Sequence, residues 1–481
     1  MKNFFITIII TLTLLATASA QPLNPAPQGT AAKSGTETRA VWLTTLKNLD
    51  WPRTKATSPA NVERQKRELT DMLDKLQKVG INTILFQTRL RGTVIYPSSL
   101  QPWDYCLTGT PGKNPGYDPL RFAIDECHKR GMECHAWVVT LPLGPWNEIG
   151  CRQMRQKYPK AVKRIGENGF LNPESPQTAG IVADVCGEIT KNYNIDGIHL
   201  DYARYPDGWP QKINRPQGRA HITRMVKAIH DQVKAIKPHV KMSCSPVGKF
   251  KDLTRYSSRG WNAYDKVCQD AQGWLRDGLM DQLYPMLYFR GNDFYPFAID
   301  WSEHLYGKEV SAGLGIWFLD KREGNLKIDE VIRQLNVIRS LGLGQCHFRA
   351  KFLLDNHQGL YDYLRTFNFP ECWPSESKMP ITRLIAPDEE PAKVTQEAPT
   401  TLPPDTYPLL RSNGRSVQLP PLPEHFKATQ IAVENMASTV VATYPLTGNS
   451  LDVSLLPRGF YTLRVVNARN VSHRLAFLLR K

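Results

Sequence analysis

Apolar positions along this chain alternate between two periods. RAVWLTT (39–45) is a short apolar run of strand type, and Ser58-Pro59 beyond it offers an N-cap followed by a first-turn proline. Val62, Leu69, Met72, Leu73, Leu76 and Val79 then recur at helical spacing until Gly80 stops the helix. The same alternation repeats along the chain. It predicts further strands at INTILFQTR (81–89), MECHAWVVT (132–140), IDGIHLDYA (195–203), VKMSCSPV (240–247), MDQLYPMLYF (280–289), EVSAGLGIWFL (309–319) and GQCHFRAKFL (344–353). Helical patterns separate them at about 118–130, from Ser175-Pro176 through Ile189, at 222–236, about 264–277, about 295–306 and 328–338, with a last segment to about 367. Eight strands alternating with helices predict an α/β protein of the (β/α)₈, TIM-type barrel class. The alternative is a doubly wound open sheet. The regular eightfold count, and the lack of a glycine-rich phosphate loop after the first strand, favour the barrel. No cofactor is expected.

The flanks have other patterns. MKNFFITIIITLTLLATASA (1–20) combines Lys2, an apolar run and the small-x-small site Ala18-Ser19-Ala20, and reads as a secretory signal peptide. Gln21 rather than Cys follows the site, which argues against a lipid anchor. Residues 21–36 form a polar, flexible lead-in, and the barrel is expected over 37–370. Residues 371–405, ending in PDEEPAKVTQEAPTTLPPD, are rich in Pro, Thr and Glu and read as a stiff linker. Beyond them, KATQIAVEN, TVVATYPL, SLDVSLL, FYTLRVVNA and RLAFLLR show only strand-like alternation, so 406–481 is expected to be a small all-β sandwich. No later stretch is long and apolar enough to cross a bilayer. The expected location is the periplasm, cell surface or medium.

The net charge of +16 suits nucleic acid, an anionic envelope surface or an acidic glycan, and export argues against nucleic acid. Nine cysteines without a CxxC pair, in a chain too large to need stapling, are expected to be mostly buried free thiols.

Candidate chemistry gathers at the ends of the predicted strands, where barrels place their working groups. With period-two alternation, Gly197, His199 and Asp201 share one face of the fourth strand, and Ile198, Leu200 and Tyr202 share the other. The apolar set is expected to meet the helices, leaving His199 and Asp201 in the barrel mouth. A carboxylate there is costly to desolvate unless it has partners or work to do. It is either a catalytic group or half of a structural ion pair with Arg204 or with an arginine from a neighbouring strand. By the same parity, Gln87 and Arg89 share a face, with Tyr96 just beyond; His135 and Trp137 share one, Tyr284 and Tyr288 another, and His347 and Arg349 another. Trp103, Tyr105, Trp146 and Trp317 lie in loops. Aromatic faces stack on the C–H faces of sugars and polar groups bond hydroxyls, so this mixture suits a polysaccharide ligand. Glycoside hydrolysis calls for two carboxyl groups, about 5 Å or about 6.5–9.5 Å apart. Asp201 is the first. Asp293 and Asp320 are the candidates for the second, ahead of Asp104, Asp207 and Glu323. Two other readings remain open: a metal-dependent hydrolase or deacetylase built on His135, His199, Asp201 and His347, and a glycan-binding barrel without catalysis.

These segments also carry a resemblance. RAVWLTT with NLDWP, FQTRLRG with YPSSLQPWDYCLTGTPGKNPGYDPL, HKRGMECHAW, NYNIDGIHLDYARYP, IKPHVKMSCSPVG and DQLYPMLYF resemble the family-10-like glycosyl hydrolases, secreted glycosidases with a (β/α)₈ fold, over about 39–365. The resemblance implies glycoside hydrolysis, places Asp201 on the acidic position of the fourth-strand motif, and implies cell-wall peptidoglycan glycan as substrate. The chain differs at Thr93, where members often carry Asp, at Val138 to Leu141, where Asn-Pro-Tyr-Arg is frequent, and at Leu200 before a single Asp201, where paired aspartates are common. The tail SLDVSLLPRGFYTLRVVNARNVSHRLAFLLRK is similar to type IX secretion sorting domains, which implies delivery to the cell surface.

Overall fold

Parallel strands with apolar residues on both faces are stable only between a filled interior and an outer layer of helices. The computed structural model describes residues 37–368 except 210, 211, 213 and 325, and 408–480 except 413–414, 423–427, 436–439 and 468–471. The expected signal peptide, lead-in and linker lie outside the described residues.

Eight strands build the central sheet: β1 (Arg39–Leu43), β2 (Thr83–Arg89), β3 (Glu133–Val139), β4 (Gly197–Asp201), β5 (Lys241–Cys244), β6 (Gln282–Leu283 continued by Met286–Leu287), β7 (Glu309–Leu314) and β8 (Gly344–His347). Neighbours pair in chain order, all parallel. β8 returns to β1 through Arg39↔Gln345, Ala40↔Cys346 and Val41↔His347, so the sheet is a closed TIM-type barrel. Between the two parts of β6 lies Pro285, which has no N–H to give to the ladder. Both parts still pair with β7, Gln282 opposite Glu309 and Met286 opposite Gly313.

The helices form where the pattern placed them and for the expected reasons. Ser58 accepts the Asn61 N–H at 3.3 Å and Pro59 opens Pro59–Lys78, whose Leu69, Leu73 and Leu76 are buried at helical spacing. Asp118 and Asn214 cap Pro119–Lys129 and Arg215–Ile236 in the same way. Some predicted segments are shorter. The 264–277 pattern becomes two helices, Ala263–Lys266 and Ala271–Arg276, and the ends of the seventh and eighth strand patterns turn into Ile316–Leu319 and Ala350–Leu354. Residues 141–174, where the pattern predicts no element, hold a small antiparallel sheet of Pro142–Pro145, Asn168–Leu171 and Val162–Ile165 with the helix Ile149–Lys157.

Alternation divides most positions of the barrel strands into an inner and an outer set. Ala40, Trp42, Leu85, Trp137, Val139, Tyr284 and Cys346 pack inside. Val41, Leu43, Ile84, Phe86, Ala136, Val138, Ile198 and Leu200 join the helices in the outer core. The eight described cysteines are unbridged and buried. No described helix is long and apolar enough to cross a membrane.

The C-terminal residues form the expected all-β module. Its main sheet runs Leu409–Ser412, Ser472–Arg480, Gly459–Asn467, Ala428–Glu434, Val440–Pro445, and Ser416–Gln418 pairs separately with Ser450–Asp452. Period two works here as well. Tyr461, Leu463, Val465, Ala476 and Leu478 enter the module's own core, whereas Phe460, Phe477 and Leu479 join the core of the barrel. Phe460 lies parallel to Tyr295, with ring centroids 5.0 Å apart and 2° between planes. Tyr295 opens the helix Tyr295–Glu303 that follows β6.

One buried carboxylate ties the ends of the barrel's chain together. Asp50 accepts from the Thr44 N–H and hydroxyl at 2.8 and 2.9 Å, from the Lys351 N–H at 2.9 Å, and from the Arg349 guanidinium. The loop after β1 is thereby fixed to the loop after β8. Removing one partner of a buried pair leaves the other charged and unpaired, so Asp50→Ala is expected to cost about 3–5 kcal/mol. A fall in the denaturation midpoint of the purified protein, measured against wild type, checks this; an unchanged midpoint contradicts it.

Candidate active site

Three strand ends aim hydrogen-bond donors at one carboxyl group. Asp201 closes β4 and is partly open to solvent. Its Oδ2 accepts from Trp137 Nε1 at 3.2 Å, and its Oδ1 accepts from the Tyr202 N–H at 2.8 Å and from Ser245 Oγ at 3.2 Å. Below it lies His199, fully buried. Trp42 Nε1 donates to His199 Nε2 at 3.2 Å, so the proton is on Nδ1, which faces Ser243 Oγ at 3.0 Å. Burial holds this imidazole neutral, with its pKa well below the ordinary histidine value. Lower still, His135 bonds Glu133 at 3.0 Å, and its ring covers Gly197 so closely that a Cβ there would lie 2.5 Å from Nδ1. Only glycine fits at 197. Gly197, His199 and Asp201 thus share the inner face, as alternation predicts.

Tyr202 departs from that alternation. Expected outside with Ile198 and Leu200, it has φ +56°, a left-handed conformation that costs a non-glycine residue energy. The turn brings its ring into contact with the barrel's inner cluster and under the Arg204 guanidinium, 4.5 Å from the ring centroid. Arg204 forms its ion pair with Asp207 at 3.2 Å rather than with Asp201. The same guanidinium lies 5.2 Å from the centroid of the Trp261 ring.

An aromatic cluster packs inside the barrel around His199. The Trp42 ring lies 5.7 to 6.2 Å from Phe348, Tyr284 and Tyr288, and Trp317 lies 4.7 Å from Tyr288. Tyr284 gives its hydroxyl hydrogen to Gln282 at 3.1 Å. The buried Tyr288 hydroxyl has no hydrogen-bond partner. Tyr288 also lines a cleft of about 250 Å³ with Phe289, Arg290, Asp293, Phe318, Gly324 and Leu326. Asp293 is therefore in the cleft, ion-paired with Lys249. Asp320 is bound by Arg322 at 2.7 Å and caps the turn after it, and that guanidinium holds its carboxyl well below the usual range.

Other residues expected at the mouth lie elsewhere. The ladder of β2 shifts register between Gln87 and Arg89, which reverses the direction of Arg89. Arg89 is fully buried, donating to Gln101 at 2.9 Å and to the Thr140 carbonyl at 2.9 Å, and burial lowers its pKa to about 10. Gln87 accepts from the Thr45 and Leu46 N–H groups at 3.0 and 2.8 Å and shapes the first loop. Tyr96 is buried, with its hydroxyl on Glu188 at 2.9 Å and its ring against Tyr193. In β8 the parity is the reverse of that expected. Cys346 and Phe348 meet the inner cluster, while His347 bonds Gln345 at 2.9 Å on the other face, where burial drops its pKa to about 4. The metal reading fails on this geometry: His135, His199, Asp201 and His347 do not converge, and among the described residues no three or more His, Cys, Asp or Glu side chains are placed to hold a metal.

The glycosyl hydrolase-like 10 sequence profile matches residues 37–215 and 211–314, from β1 through β7. The chain belongs to the glycosyl hydrolase-like 10 family. Glycosyl hydrolase YngK of Bacillus subtilis is 32% identical over 372 residues, covering 70% of this chain and 72% of that protein. Glycosyl hydrolase DigH of Escherichia coli K12 is 31% identical over 306 residues, covering 56% and 69%. Among solved structures, the catalytic domain of β-amylase from Paenibacillus polymyxa superposes with a TM-score of 0.46 at 11% identity, covering 69% of this chain and 98% of that one.

In this member of the glycosyl hydrolase-like 10 family, Ser245, Phe348 and Trp261 near the carboxyl, and Trp42 beneath it, are residues that the pattern does not single out. Trp42 carried a usable signal, since it is the inward partner of Ala40 on β1. Burial raises the Asp201 pKa above the ordinary aspartate value, against the opposing pull of Arg204 and the three donors. Burial thus works against its ionised form. The stability that Asp201 contributes is greatest below the ordinary carboxylate range and declines as pH rises through the raised value. Asp201→Asn is expected to melt above wild type at neutral pH, with the gap closing below about pH 4. Melting temperatures taken across pH check the sign.

Proposed function

We propose that this glycosyl hydrolase-like 10 protein is an exported glycosidase that hydrolyses the glycan strands of bacterial cell wall. The observation that carries the reading is Asp201: a carboxyl at a barrel strand's carboxyl end, open to the mouth, biased toward its acid form by burial and aimed by Trp137, Ser245 and the Tyr202 N–H. Such a group suits a general acid that protonates the departing glycosidic oxygen. Asp293 is the proposed second carboxyl. It shares its cleft with Tyr288, and Lys249 keeps a cation beside it. Two carboxyls in contrasting surroundings, one buried and one beside an ammonium, suit the division into acid and base or nucleophile. Asp320 is the weaker candidate because Arg322 and the following turn already occupy its oxygens. Trp137, Tyr284, Tyr288, His199 and Arg204 would shape the sugar pocket, Tyr288 with its unpartnered hydroxyl. The apolar leader at 1–20 supports export, and the +16 charge supports an anionic cell-wall glycan. The C-terminal module would serve surface delivery or act as an accessory.

The test is turnover of denuded peptidoglycan strands, beside a plant and host polysaccharide panel, with product masses. Wild type is expected to cleave the peptidoglycan strands. Asp201→Asn is expected to fold and lose about a thousandfold or more, and Asp293→Asn to lose activity comparably. Full turnover by Asp201→Asn would end the assignment. Binding of strands by wild type without any cleavage would favour the glycan-binding barrel.

A further inference from the structure

We infer that Trp261 is a stacking platform for a sugar ring of the glycan strand beyond the unit held at Asp201. The inference rests on the glycosidase reading and adds the subsite through which the chain length of the substrate is sensed.

Trp261 lies in the loop after β5, and 47% of its surface is exposed. A lone exposed indole is common on protein surfaces and says little by itself. Two observations separate this one from that background. The first is a chain of contacts that links it to the acid. Tyr202, next to Asp201, lies under the Arg204 guanidinium at 4.5 Å, and the same guanidinium is 5.2 Å from the Trp261 ring. Arg204 is buried and ion-paired with Asp207 at 3.2 Å, so both rings contact one buried cation. The strained left-handed Tyr202 is what joins these contacts to the carboxyl.

The second observation is the stiffness of the loop. Asp252 Oδ1 accepts from the Gly260 N–H and from Asn262 Nδ2, each at 3.1 Å. The Ala263 N–H donates to the Lys249 carbonyl at 2.9 Å, and Lys249 Nζ donates to the Arg259 carbonyl at 3.2 Å while pairing with Asp293. Gly260 has φ +150°, a backbone conformation that residues with side chains rarely adopt. The loop is braced from both sides before any ligand arrives. A pre-organised exposed indole loses little entropy on binding, and its face fits the C–H face of a pyranose. Lys249 moreover joins the Trp261 loop to Asp293, so the platform and the proposed second carboxyl belong to one braced unit.

The experiment compares wild type, Trp261→Phe and Trp261→Ala on long denuded peptidoglycan strands and on short fragments of them. Trp261→Ala is expected to raise KM on long strands about tenfold, with a much smaller change in kcat, to leave short fragments less affected, and to keep the wild-type melting temperature. Trp261→Phe is expected to recover part of the loss. Equal KM values for wild type and Trp261→Ala overturn the inference. So does a joint fall of kcat and KM affinity with a lowered melting temperature, which marks a structural role. Should wild type cleave nothing, the glycosidase reading fails, and the platform is then judged by titrating the same strands into wild type and Trp261→Ala. Weaker binding by Trp261→Ala upholds the platform there; equal affinity, or no binding by wild type, overturns it.

Discussion

A closed barrel of eight parallel strands has an interior of fixed width, and every second side chain must fill it. Here the filling is partly polar, which makes satisfaction of each donor a condition of folding. Trp42 gives its N–H to His199, and His199 gives its own to Ser243. The ring that results is neutral, wedged between Trp42, Trp137 and Tyr284. Asp201 rests at the top of this stack with Trp137 as a direct donor. The orientation of the acid is thus inherited from packing several residues below it, and the mouth is rigid because the floor is full.

Much of this architecture was readable in advance because periodicity is a consequence of backbone geometry. The eight repeats and the inward set Gly197, His199 and Asp201 follow from spacing, and the helix starts at Ser58-Pro59 and Ser175-Pro176 from the Ser-Pro pairs. The misreadings have local causes. A register shift in β2 reversed Arg89, a left-handed residue moved Tyr202 across the sheet, and in β8 Gln345 and His347 are buried on the outer side as fully as Cys346 is on the inner. A strand buried on both faces gives no polarity signal from which to read its parity. Phe348 was hidden for the same reason. The small sheet in 141–174 was missed because four-residue strands in a long loop are too short to show a period.

Around the mouth, carboxyl groups of one chemical type are given different surroundings. Asp201 has burial and neutral donors, Asp293 has an ammonium, Asp320 has a guanidinium, and Asp50 is consumed in bracing the loops. What distinguishes them is less their distance from the strand ends than which cation, if any, reaches them first.

The module at the C-terminus is more than an appendage on a tether. Its sheet turns Phe460, Phe477 and Leu479 toward the barrel and lays Phe460 flat on Tyr295, two residues after Asp293. A chain severed within 371–405 would leave each half with a greasy scar where the other had been. Recombinant fragments made that way should therefore self-associate, and the tail could be lost in evolution only if the helix beginning at Tyr295 were repainted with polar residues at the same time.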